Sequence, residues 1–124
     1  MALSVSNQVS PIASKLILQD DATATSDNNI TSQAVTIYLI EIDNTAVGNA
    51  SQANYLKLYN NVSPTVGTTA PDMCLMVTAN TKRSYAFTEG ILFGTGLSMA
   101  CVTTPGTAGT TDPPGDVVVR ILAS

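Results

Sequence analysis

Short apolar runs rich in β-branched residues recur along the whole chain, and segments rich in Gly, Pro, Asn, Asp, Ser and Thr separate them. The clearest run is Val35–Asp43 (VTIYLIEID), whose β-branched side chains favour a strand over a helix. No window has the apolar spacing of about 3.6 residues that is typical of an amphipathic helix. About eight such runs, bounded by turn residues, predict an all-β fold, an antiparallel β-sandwich of jelly-roll or immunoglobulin-like type.

Strict alternation along Val35–Asp43 predicts two largely apolar faces, because successive side chains of a strand point to opposite sides. One predicted face carries Val35, Ile37 and Leu39. The other predicted face carries Thr36, Tyr38, Ile40 and Ile42. We therefore expect both faces of this strand to be covered.

The charge of the chain limits its partners. Five basic and nine acidic residues give a net charge of −4 and an isoelectric point near 4.3. Nucleic acids and anionic membrane surfaces bind clusters of Lys and Arg, and the sequence has no such cluster. We expect neither a nucleic-acid nor a membrane partner.

The chain also lacks most residues that carry chemistry. It has no histidine, so Ser–His–Asp and Cys–His catalysis are excluded, and two cysteines distant in sequence are a poor set of zinc ligands. We expect a protein that is not an enzyme, with no catalytic residue, no metal ligand and no cofactor.

The length of 124 residues suits one domain, which we assign to residues 15–124. Residues 1–14 read as an extended N-terminal arm without the basic and apolar regions of a signal peptide, so we expect synthesis in the cytoplasm. The arm is predicted to anchor by strand addition to an exposed sheet edge. Its apolar contact residues are Leu3, Val5, Val9 and Ile12.

A second candidate interface lies on the run Tyr55–Tyr59 (YLKLY). Its alternation predicts that Leu56 and Leu58 point inward. An outward stripe of Tyr55, Lys57 and Tyr59 would then suit a protein–protein contact. The alternative is that a second sheet or a loop covers that face.

Three further features predict structure more than function. Cys74 and Cys101 are expected to be buried free thiols, with a disulfide as the alternative. The segment Asp20–Asn29 is expected to be a solvated turn, although its carboxylates are of the type that binds calcium. The run Met73–Val77 is apolar on both faces and predicts a homo-oligomer, a dimer or trimer.

Three stretches of the C-terminal half carry a resemblance to a known class of proteins. They are Tyr55–Asn60 (YLKLYN), Ser63–Asp72 (SPTVGTTAPD) and Tyr85–Ala100 (YAFTEGILFGTGLSMA). In pattern they resemble small β-sandwich virion proteins of tailed bacteriophages, including those that cement or decorate capsids.

The resemblance implies a virion structural protein, foremost a cement or decoration protein that binds the outer capsid surface and stabilises contacts between capsomers. Its partners would be the major capsid protein or other virion subunits. A head–tail connector, a tail component or a spike or knob is the alternative. A carbohydrate-binding module is more remote, because such modules often present exposed tryptophans and this chain has none.

Overall fold

Eight strands and one short 3-10 helix form the regular structure of the computed structural model, which describes residues 3–7 and 13–124. The strands are β1 (Leu3–Asn7), β2 (Lys15–Gln19), β3 (Val35–Asp43), β4 (Asn54–Asn60), β5 (Met73–Val77), β6 (Lys82–Phe93), β7 (Leu97–Val102) and β8 (Val118–Ala123). The 3-10 helix spans Val47–Asn49. The predicted antiparallel β-sandwich of about eight short strands is confirmed.

The strands form two antiparallel sheets. The large sheet has the order β1-β2-β8-β3-β6, and the small sheet has the order β5-β4-β7. Beyond β7, residues 23–30 form an irregular edge segment, in which Asp27 and Met99 exchange backbone hydrogen bonds of 2.8 and 3.0 Å. With this segment taken as a fourth strand of the small sheet, the strand order is that of a jelly roll, and β1 is an additional edge strand.

The core lies between the two sheets and is almost entirely aliphatic. Its fully buried side chains include Ile17, Ile37, Ile40, Ile42, Leu56, Leu58, Leu97, Met99, Val119 and Ile121. Each buried side chain of this size contributes about 1.5–3 kcal/mol to folding. The inward positions predicted for Leu56 and Leu58 are confirmed.

A β-bulge at Tyr38 interrupts β3. Ile37 lies opposite Ala123 of β8 while Leu39 lies opposite Leu122, so Tyr38 is an extra residue between them. An extra residue reverses the facing of every side chain that follows it. The buried residues of β3 are therefore Val35, Ile37, Ile40 and Ile42.

The strict alternation predicted for β3 is consequently wrong beyond Ile37. Leu39 faces away from the core, whereas Ile40 and Ile42 face into it. The outer side of β3 is more polar than predicted, because Glu41 and Asp43 follow Leu39 on that side.

The described part of the predicted arm consists of the edge strand β1, which pairs antiparallel with β2 of the same chain, and residues 13–14, of which Ala13 is buried. Leu3 packs against the core, and Val5 remains 41% exposed. Strand addition therefore occurs within the chain for residues 3–7. Val9 and Ile12 lie outside the described residues.

Candidate interaction surfaces

The outer side of the small sheet does not present the predicted exposed stripe. Lys57 and Tyr59 are fully buried, and Tyr55 is partly buried. The predicted exposure of Lys57 and Tyr59 is therefore wrong, and a covering loop, the alternative left open by the sequence, is what the structure shows. Leu3 and Val5 lie on the other sheet, so the predicted contact residues do not form one surface.

Lys57 holds this covering loop, residues 103–111, against the sheet. Its Nζ donates hydrogen bonds to the backbone oxygens of Thr107 at 3.2 Å and Gly109 at 2.8 Å. Burial lowers the pKa of Lys57, because removal from water disfavours the ammonium form. A buried charge that binds two carbonyls is a structural clamp, not a site for a partner.

Tyr59 is buried beside this clamp without a hydrogen bond. No partner within the described residues meets its hydroxyl oxygen. Burial raises the pKa of Tyr59, because removal from water disfavours the charged phenolate form. The tyrosine contributes to packing through its ring, and its hydroxyl adds no hydrogen bond within the described residues.

The two cysteines lie on opposite faces of the small sheet. Cys74 is opposite Lys57 and is exposed, whereas Cys101 is opposite Leu56 and is buried. Burial raises the pKa of Cys101 to about 12. Both thiols are free, as predicted, but the predicted burial of Cys74 is wrong.

The Asp20–Asn29 region covers the edge of β7 through the edge segment. The Oδ2 atom of Asp27 accepts a hydrogen bond of 2.8 Å from the side-chain amide of Gln19. Burial raises the pKa of Asp27, and the bond from Gln19 partly opposes this. Within the described residues, no group of three carboxylates and thiols is close enough to hold a metal ion.

The outer side of the large sheet carries a row of apolar side chains that the sequence did not indicate. Leu16 pairs with Leu122, Leu122 pairs with Leu39, and Leu39 pairs with Ala86, so the row crosses four strands. The three leucines, like Leu18 beside them, are partly exposed, and none belongs to the core or packs against it. We call this surface the open face: Leu16, Leu18, Leu39, Leu122 and Ala86 with the charged residues described next.

Charged side chains lie beside the apolar row in pairs of opposite sign. The guanidinium of Arg120 lies 3.0 Å from the Oε1 atom of Glu41, and the Nζ of Lys82 lies 3.8 Å from the Oδ2 of Asp43. Arg120 and Glu41 remain accessible, with side chains 45% and 29% exposed. These four charges cancel, so the net charge of −4 belongs to the remainder of the chain.

The bulge at Tyr38 explains why sequence patterning missed the open face. Under strict alternation, Leu39 belongs with the core residues Val35 and Ile37. The bulge moves it to the outer side, where it joins Leu122 and Leu16. Alternation along β3 places the three leucines on one side only when Tyr38 is counted as an extra residue.

Comparison with models of known protein families and with curated proteins finds no match to this chain. In the described ranges, no helix has the length and apolar character required to cross a membrane.

Proposed function

We propose that this chain is a structural protein of a bacteriophage virion, a cement or decoration protein that binds the outer capsid surface and stabilises contacts between capsomers. The observation that carries the proposal is the open face. An accessible apolar row on a sheet face whose flanking charges form opposite pairs suits contact with other protein subunits, because covering it buries apolar surface while each flanking charge keeps a partner of opposite sign.

The arrangement of the two sheets supports the same function. The chain covers the outer side of its small sheet with its own loop, held by Lys57, and leaves the outer side of the large sheet accessible. A small rigid sandwich with one such face forms modest contacts. On a symmetric shell, many modest contacts reinforce one another through effective concentration.

The proposed partners are the major capsid protein or other virion subunits, together with further copies of this chain. The proposed location is the capsid surface, after synthesis in the host cytoplasm. The resemblance of Tyr55–Asn60, Ser63–Asp72 and Tyr85–Ala100 to phage virion proteins supports this assignment.

We propose that the N-terminal arm, residues 1–14, contributes capsid contacts through its apolar residues. Deletion of residues 2–14 removes the edge strand β1 and the buried Ala13, but the seven other described strands pair among themselves, so the rest of the sandwich should remain folded. We expect the deletion to lower binding to empty capsids of the parent phage, measured by co-sedimentation, while circular dichroism stays native. Undiminished binding by the folded deletion variant would contradict the proposed role of the arm.

A further inference from the structure

We infer that the open face is a two-fold contact between two copies of this chain. Leu16, Leu18, Leu39 and Leu122 are partly exposed there and lie outside the core. They form a contiguous apolar patch in a sheet centre, and such patches mark protein–protein contacts. The question is which partner covers it.

The pairing of β8 with β3 makes the open face complementary to itself. Leu122 lies opposite Leu39, and Arg120 lies opposite Glu41 in the same ladder. A two-fold axis parallel to the strands and between β8 and β3 places β8 of one copy over β3 of the second. Leu122 then meets Leu39 of the second copy, and Arg120 meets Glu41 of the second copy, twice by symmetry.

The distribution of charge also favours a second copy. Two molecules with a net charge of −4 repel each other in most orientations. The open face is the exception, because Arg120 with Glu41 and Lys82 with Asp43 cancel. Face-to-face approach therefore keeps the unbalanced carboxylates apart, while the ion pairs gain partners across the contact.

The size of the face predicts a reversible dimer. Four strands about 4.8 Å apart, each with about six residues that rise about 3.3 Å, span on the order of 19 Å by 20 Å. About 400 Å² per copy is less than the roughly 800 Å² per partner of a standard interface. We therefore expect a dimer that dissociates on dilution.

Charge reversal at two positions tests this geometry. Glu41→Arg gives the open face two neighbouring positive charges, and Arg120→Glu gives it two negative charges. The intrachain ion pair that each variant loses is accessible to water and therefore stabilises the fold only weakly, so both variants should fold. Circular dichroism and thermal unfolding check this.

The readout is sedimentation equilibrium from about 1 µM to about 500 µM protein. We expect the unchanged chain to form dimers, each variant alone to remain monomeric, and an equimolar mixture of the two variants to form dimers again. The matched control is Arg83→Glu, a charge reversal at an exposed arginine on the opposite side of the large sheet, opposite core residue Ile42. It should dimerise like the unchanged chain.

Three results would overturn the contact: a monomeric unchanged chain throughout, dimers of either variant alone, or a mixture that stays monomeric. The dimer contact rests on the proposed virion role, but different results contradict the contact and the role. A dimer that does not bind capsids contradicts the virion role alone, whereas a monomer that binds capsids contradicts this contact alone.

Discussion

Lys57 and Tyr59 occupy the same side of β4, and their polar atoms have opposite energetic roles. The ammonium of Lys57 has two backbone acceptors, while the hydroxyl of Tyr59 has none within the described residues. A satisfied buried group holds structure together, and an unsatisfied one costs about 1–3 kcal/mol. This difference gives a matched pair of substitutions.

Lys57→Met should lower the free energy of unfolding by about 1–3 kcal/mol, because it keeps the apolar stem and leaves the carbonyl of Gly109 without its donor. Residues 103–111 should also become more accessible to proteolysis. Urea denaturation and limited proteolysis measure the two effects.

Tyr59→Phe is the control at the same face. It removes a hydroxyl that has no partner in the described structure, so stability should be unchanged or higher by up to about 1 kcal/mol. Equal losses in the Lys57 and Tyr59 variants would show that both positions act through packing alone, contrary to the clamp.

Asp27 should make stability depend on pH. Burial raises its pKa above the ordinary value of 3.8, so the folded chain holds this proton more tightly than the unfolded chain. The contribution of Asp27 to stability is therefore complete below 3.8 and is lost as the pH rises through the folded pKa.

Asp27→Asn removes this titration and keeps an oxygen that can accept from Gln19. We expect the variant to gain stability relative to the unchanged chain as the pH rises from about 3 to about 7. Urea denaturation at a series of pH values gives the two profiles. Parallel profiles would contradict the raised pKa.

At the scale of elements, Gly90 permits the bulge between β3 and β6. Its φ is +78°, and a Cβ atom there would overlap with the Cγ2 of Thr36 and lie 2.9 Å from the Cε1 of Tyr38. A side chain therefore meets both backbone strain and a close contact.

Gly90→Ala should destabilise the chain by about 2–4 kcal/mol, the sum of left-handed strain and steric overlap. Gly106→Ala is the matched control, because its φ is +82° and a Cβ there has no neighbour within 4 Å. It should cost only about 1 kcal/mol. Thermal unfolding compares the two, and equal losses would contradict the close contact at Gly90.

The sequence predicted elements well where local alternation sufficed. Leu56 and Leu58 are inward as expected, because β4 has no bulge and its inner residues simply alternate. Prediction from the sequence failed where contacts with distant segments decide whether a side chain is buried. The loop that buries Lys57 follows it by some fifty residues, and alternation along β4 carries no information about that loop.

The open face shows the same limit of prediction from local alternation. Period two predicted a strand at Val35–Asp43 correctly but placed Leu39 on the same face as Val35 and Ile37, which the structure buries in the core. The bulge at Tyr38 is fixed by the register against β8 and β6 together, and neither register is encoded in β3 itself. A surface built from four strands was therefore visible only in the folded chain.

At the scale of the whole molecule, the two outer sides of the sandwich differ in kind. One is covered by the chain's own loop, and the other is accessible, apolar in its middle row and neutral in charge. The jelly-roll order brings β2, β8 and β3 together although they are distant in sequence. We regard the accessible side as the functional one.

The number of copies in purified particles of the parent phage tests the proposed virion role most directly. Quantitative mass spectrometry against the major capsid protein gives this number. A decoration protein that follows the shell lattice should be present in hundreds of copies, whereas a connector that follows ring symmetry is present in about a dozen. Hundreds of copies is the predicted result, and absence from the particle would contradict the proposal.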